Sequence, residues 1–102
     1  MPDIIRLSDC REEVKMFAMA MEAKLRENDY KGGWKNSSFA FLKAKCKEEL
    51  MEINVAIHER ATNNSEITRI ALLQECADLA NFAMMIADNA GCLSLIGDDD
   101  AD

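Results

Sequence analysis

The stretch IALLQECADLANFAMMI, residues 70–86, decides the fold because it places apolar or small side chains on nearly every side of a helix. A helix of that composition is stable only when more than one of its faces is buried. It therefore predicts the central helix of an all-α domain. Because a single small bundle covers only part of such a helix, we also expect a homodimer or homotetramer with this helix at the subunit interface.

Capping residues indicate where the other helices begin. Asp9 and Asn63 each stand three residues before a glutamate, which is capping-box spacing, and Ser37 or Ser38 can cap the second helix. A glycine-containing loop, residues 28–36, separates the first two helices. Helices are therefore predicted over about residues 9–28, 37–60 and 63–90, with a short fourth helix over 92–96.

The short connections between these helices favour antiparallel packing. The predicted fold is an all-α, up-and-down helical bundle of three long helices, which the short fourth helix would help to close. Residues 1–97 are expected to form one helical domain. The acidic residues 98–102 are expected to be a disordered tail.

The acidic composition limits the partners that the protein can bind. The chain has 102 residues, a formal net charge of −7 and a pI near 4.7. This charge argues against nucleic acids and acidic membrane surfaces as partners. We expect no signal peptide and no membrane-spanning segment. None of the four cysteines belongs to a Cys-x-x-Cys pair, so they are expected to be buried thiols in a cytoplasmic protein.

Two pairs of acids stand three residues apart, Glu49 with Glu52 and Glu75 with Asp78. On a helix this spacing places both carboxylates of a pair on the same side, about 60° apart. The apolar face of the second helix is traced by Leu42, Cys46, Leu50, Ile53 and Ile57. Glu49 falls within this face and Glu52 at its border, whereas Glu48 points outward.

The third helix repeats this arrangement, with Glu75 among apolar positions and Asp78 at the edge of a polar strip. That strip consists of Gln74, Asn81 and Asp88. An acid on a core-facing stripe is costly unless a proton, a counter-charge or a metal ion neutralises it. Since the donors are carboxylate oxygens, Mg²⁺ is the predicted cofactor, with Mn²⁺ as a substitute. A di-iron bundle would need Glu-x-x-His on two helices, and the single histidine, His58, stands near the end of its helix.

The pattern Glu48-Glu49-x-x-Glu52, then 22 residues, then Glu75-x-x-Asp78 resembles the signature of the MazG-like, all-α nucleoside triphosphate pyrophosphatases. The resemblance covers the second and third helices. It implies Mg²⁺-dependent hydrolysis of (deoxy)nucleoside triphosphates to monophosphate and pyrophosphate, as nucleotide-pool house-cleaning. The metal ligands that it implies are Glu49, Glu52, Glu75 and Asp78. The base that activates water would be Glu48 or Glu52.

The segments MEAKL at 21–25 and YKGGWK at 30–35 are similar to smaller, single-domain members of that family. Trp34 on its glycine loop is a candidate to stack on a base, while Lys31 and Lys35 would meet phosphates. Lys45 would offset phosphate charge or pair with the acids, and Asn81 would hydrogen-bond to sugar or phosphate. The alternative is that Trp34 plugs the end of the bundle and that both loop lysines are solvated.

Two other functions fit the same residues. One is a non-catalytic helical module that binds metal and interacts with other molecules. The other is a related metal-dependent hydrolase that acts on a different phosphorylated substrate. Substitution of Glu75 and analysis of the reaction products separate these alternatives from a pyrophosphatase.

Overall fold

Three long α-helices make up most of the computed structural model, which describes residues 5–96. The α-helices are α1 (Glu12–Glu27), α2 (Phe39–Thr62) and α3 (Glu66–Asn89), and short 3-10 helices lie at Leu7–Asp9, Asp29–Lys31 and Cys92–Ile96. Between residues 5 and 96 there is no β-strand. An all-α domain of three packed long helices is therefore confirmed. The segment predicted as a fourth helix is the last of the 3-10 helices, and the tail at 98–102 lies outside the described residues.

Hydroxyl side chains begin α2 and α3. The Ser38 side chain accepts a hydrogen bond from a backbone N–H three residues later, at 3.1 Å. Ser65 and Thr68 form a reciprocal capping box at the start of α3. The predicted cap at Asn63 is wrong, because its backbone N–H bonds to the carbonyl of Glu59 and so ends α2 instead.

The start of α1 also differs from the prediction. Asp9, which was expected to cap the helix, is the last residue of a 3-10 helix. Cys10 and Arg11 then have ψ angles of 152° and 148°, so the backbone is extended before α1 begins at Glu12. Arg11 occupies the N-cap position without a side-chain hydrogen bond.

The central helix is α3, which packs against both α1 and α2. The three-residue connection 63–65 makes α2 and α3 an antiparallel pair. On α1, the Met21 carbonyl accepts a hydrogen bond of 3.0 Å from Asn81 Nδ2 of α3. The residues that are almost completely buried lie on α2 and α3; they are Leu42, Ala56, Ala77 and Asn81.

The loop between α1 and α2 is fastened to the end of α3. Gly32 has a φ of +89°, a left-handed conformation that a glycine adopts without steric cost. Beyond it, Trp34 Nε1 donates to Asp88 Oδ2 at 2.9 Å, and Asn89 Nδ2 donates to the Trp34 carbonyl at 2.9 Å. These bonds fix the loop beside α3 and hold the indole in place.

A large apolar surface stays exposed in the single chain. Met51 and Val55 on α2 are 69% and 58% exposed, and Ile67 on α3 is 79% exposed. The radius of gyration, 15.4 Å, also exceeds the value of about 13 Å typical of a compact domain of this length. Both observations are consistent with the predicted homo-oligomer, which stays a prediction.

By length and composition alone, α3 could cross a membrane. The expectation that no segment approaches the apolar length needed to span a bilayer is therefore wrong, whereas the expected absence of a membrane-spanning segment stays a prediction. The core helix of a soluble protein passes the same test. In the structure, α3 carries Glu75 and Asp78 near its middle and packs against α1 and α2. Acids at that depth of a bilayer would be costly.

Candidate metal centre

Three carboxylates converge between α2 and α3. Oxygen atoms of Glu49, Glu52 and Glu75 all lie within 4.8 Å of one another. Glu49 and Glu52 are three residues apart on α2 and so point to the same side, while Glu75 reaches them from α3. We call these three residues the carboxylate cluster. The sequence predicted all three as neighbours, and the structure brings them together.

The position of Glu49 follows from the packed stripe of α2. This stripe contains buried Leu42 and Ala56 and partly buried Cys46, Glu49 and Ile53. The apolar face predicted from the sequence was partly wrong, because Leu50 and Ile57 are 54% and 48% exposed. The packed stripe of α2 is therefore centred closer to Glu49 than the predicted apolar face was. This places the Glu49 carboxylate between the helices.

Two oxygens of the cluster are buried and have no hydrogen-bond partner among residues 5–96. They are Glu49 Oε2 and Glu75 Oε2. A buried carboxylate oxygen without a partner is strongly unfavourable, and a second carboxylate close by adds like-charge repulsion when both are ionised. A hard divalent cation prefers oxygen donors and would satisfy these atoms. The residues present therefore fit Mg²⁺ or Mn²⁺.

The pKa values of the cluster reflect the same crowding. The pKa of Glu75 is raised to about 8, first by the neighbouring Glu52 carboxyl, which favours the protonated form of Glu75, then by burial and by Glu49. Burial is the main cause that raises the pKa of Glu49. Without a cation, Glu75 therefore keeps a proton that an ordinary glutamate would lose at neutral pH.

Asp78, the fourth predicted ligand, is not part of the carboxylate cluster. It lies one turn after Glu75 on α3, and its Oδ1 is 4.0 Å from the Nζ of Lys24 on α1. Burial raises the pKa of Asp78, while the nearby Lys24 ammonium lowers it. The carboxylate is therefore paired with an ammonium group rather than with the other acids.

Glu48 points away from the cluster, as the sequence predicted. Its side chain is 60% exposed, and its Oε2 is 3.1 Å from the Nζ of Lys45. Its nearest charged partner is therefore a lysine of the same helix. Glu52 is the more exposed member of the cluster and also lines an open groove beside it, together with Glu75.

A cavity of about 420 Å³ opens next to Asp78. Its lining contains four of the five predicted substrate-binding residues: Lys31, Trp34, Lys45 and Asn81. Lys45 is one turn before Glu49 and Asp78 is one turn after Glu75, so this wall of the cavity continues into the carboxylate cluster. Phe41, Phe82 and Met85 supply an apolar part of the lining.

The fifth predicted residue, Lys35, is not among the residues that line the cavity. Its ammonium pairs with the Asp88 carboxylate, which also accepts the hydrogen bond from Trp34. These two contacts lower the pKa of Asp88. The contact between Lys35 and Asp88 thus holds the loop against α3. Trp34 both donates a hydrogen bond to Asp88 and lines the cavity.

Asn81 was predicted on a polar strip of α3 and is instead 4% exposed. Its Nδ2 donates to α1, while its Oδ1 is buried without a hydrogen-bond partner. The strip prediction failed because α1 packs over this part of α3. The same packing brings Lys24 to the cavity. The sequence did not indicate Lys24 as a site residue, because its spacing along α1 does not show which helix it faces.

Comparison with known proteins adds no identification. No protein family model matches the sequence, and no curated protein or solved structure shows a significant similarity to the chain.

Proposed function

We propose that this protein is a Mg²⁺-dependent hydrolase that converts (deoxy)nucleoside triphosphates to the monophosphate and pyrophosphate. The observation that carries the proposal is the carboxylate cluster of Glu49, Glu52 and Glu75, with two buried, unpartnered oxygens. A cavity lined by lysines and aromatic side chains lies alongside it. The resemblance of the two acidic motifs to the MazG-like pyrophosphatases selects this reaction among those that such a site supports.

The cluster supplies the ligands that the reaction needs. Glu49 and Glu75 would hold the cation with their buried oxygens, and Asp78, one turn after Glu75 on α3, would join them on leaving Lys24. When bound, Mg²⁺ supplies Lewis-acid stabilisation of the charge on the phosphates. Glu52, the most exposed acid of the cluster, would accept a proton from the attacking water. Glu48 would serve in that role only after leaving Lys45.

The cavity supplies contacts for the rest of the nucleotide. Lys31 and Lys45 provide positive charge for the phosphates in a protein whose net charge is −7. The indole of Trp34, with Phe41 and Phe82 in the same lining, offers an aromatic surface for a base. A volume of about 420 Å³ falls within the range usual for small-ligand sites, about 300–1,000 Å³.

Product analysis tests the proposal directly. The purified protein is incubated with Mg²⁺ and each ribo- and deoxynucleoside triphosphate, and nucleotides and pyrophosphate are quantified. We expect monophosphate and pyrophosphate in equal amounts, and no product when a chelator is present. Glu75→Gln removes one charge from the cluster and should abolish turnover, whereas Glu13→Gln, an exposed acid on α1, is the matched control.

The alternatives give different results. Metal binding without any nucleotide product would favour the non-catalytic helical module. Hydrolysis of another phosphorylated compound, with triphosphates left intact, would favour the related hydrolase. Formation of diphosphate and inorganic phosphate would show cleavage at the wrong bond and would reject the proposal.

A further inference from the structure

Lys24 is the most enclosed of the three lysines that line the cavity. Its side chain is 18% exposed, compared with 38% for that of Lys45, and Lys31 is an exposed residue. An ammonium group withdrawn from water needs anionic partners. Lys24 has two, the Glu27 carboxylate at 3.6 Å on its own helix and the Asp78 carboxylate at 4.0 Å on α3.

A cation bound at Asp78 would weaken the contact between Asp78 and Lys24, whose Nζ lies 4.0 Å from Asp78 Oδ1. A divalent ion at this carboxylate would neutralise it and would repel the Lys24 ammonium at close range. Lys24 would then still pair with Glu27 on α1 but would no longer pair with Asp78 on α3. The anionic group that can replace Asp78 inside the cavity is a phosphate of the ligand, since residues 5–96 contribute no other carboxylate to the lining.

We infer that Lys24 is an exchange residue: it neutralises Asp78 in the metal-free protein and binds a phosphate of the nucleotide once the cation occupies the carboxylates. This inference rests on the proposed nucleotide-binding function. It adds Lys24 as a phosphate-binding residue. It also gives an order of events: the cation first releases Lys24 from Asp78, and a phosphate then binds Lys24. The ligand class is a polyphosphate that arrives with, or after, a divalent cation.

The exchange also assigns a role to α1. The acids that would hold the cation lie on α2 and α3, whereas Lys24 lies on α1. A phosphate bound by Lys24 and by Lys45 joins α1 to α2, and the cation joins α2 to α3. Nucleotide binding should therefore hold α1 more firmly against the other two helices than the cation alone does.

Binding measurements without turnover test the exchange. Affinity for a non-hydrolysable α,β-methylene deoxynucleoside triphosphate is measured by calorimetry in saturating Mg²⁺, and affinity for Mn²⁺ alone is measured separately. We expect Lys24→Met to weaken nucleotide binding by about 10- to 100-fold, as for loss of a charged hydrogen bond. Its affinity for Mn²⁺ alone should be unchanged or higher, because the cation no longer competes with an ammonium for Asp78. Lys47→Met, an exposed lysine on α2 outside the cavity, should change neither affinity.

Hydrogen exchange of the unmodified protein provides a test that does not depend on the folding of a variant. Addition of the nucleotide analogue with Mg²⁺ should slow amide exchange across α1 by at least about threefold beyond the effect of Mg²⁺ alone. Lys24→Gln, a second variant that removes the charge but keeps a polar side chain, should lose this additional protection. Equal nucleotide affinity in wild type and Lys24→Met, or a parallel loss of Mn²⁺ and nucleotide affinity, would overturn the exchange. If the wild-type protein binds no nucleotide at all, the proposed function itself fails.

Discussion

Replacement of Glu75 by glutamine should stabilise the metal-free protein, although Glu75 is proposed to be essential for activity. The pKa of Glu75 is about 8 in the folded chain, against an ordinary 4.5. At about 1.36 kcal/mol per pKa unit, this difference corresponds to about 5 kcal/mol. Water reaches the partly exposed side chain and screens much of that energy, so we expect Glu75→Gln to add about 1–2 kcal/mol at pH 8.5.

The direction of the pH dependence follows from the raised pKa. Below pH 4.5 Glu75 is protonated in both the folded and the unfolded chain, so the full stability is present. As the pH rises from 4.5 to about 8, the unfolded chain releases this proton more easily than the folded chain, and stability falls. The pKa values of Glu49 and Asp78 are also raised, so both act in the same direction.

Urea unfolding, followed by circular dichroism in the presence of a chelator, measures this effect between pH 5 and pH 8.5. The wild-type protein should lose stability over this interval, and Glu75→Gln should lose less. With Mn²⁺ at 100 times its dissociation constant the order should reverse, because wild-type protein gains about 2.7 kcal/mol that the variant largely lacks. If Glu75→Gln is less stable than wild type at pH 8.5 without metal, the carboxylate has a stabilising partner and the reasoning about its crowding is wrong.

Five further substitutions test the site and the fold. Glu52→Gln should lower kcat by about 100-fold or more, whereas Glu48→Gln, whose side chain points away from the cluster, should lower it by less than about tenfold in steady-state kinetics; similar losses would show that Glu48 reaches the reacting water. Leu42→Ala should cost about 2–5 kcal/mol in urea unfolding because Leu42 is 1% exposed, and Leu50→Ala should cost less than about 1 kcal/mol. A larger cost at Leu50 would indicate that another copy of the chain covers it. Ser65→Ala should cost about 1 kcal/mol in thermal unfolding through loss of the capping box, and an unchanged stability would mean that Thr68 and water replace the lost bond.

The three long helices could be predicted from the sequence, but the residue at which each helix begins could not always be predicted. Of the two serines predicted as alternative caps of α2, Ser38 caps the helix, because its hydroxyl accepts from the backbone N–H three residues later. The caps expected at Asp9 and Asn63 failed, since each residue is already engaged in a neighbouring helix or turn. Several residues can satisfy the same capping pattern, and the path of the preceding chain selects among them.

The sequence by itself determined that acids three residues apart lie on one side of a helix, because helical geometry is local and repeats along the chain. That was sufficient to predict that Glu49 and Glu52 are neighbours. Only the tertiary structure decided that Glu75 meets them while Asp78 turns to Lys24. Which side chains meet across two helices depends on their rotation and crossing, and contacts between distant residues set both. Packing of α1 over α3 likewise buried Asn81 and brought Lys24 to the cavity, and no periodicity within a single helix carries that information.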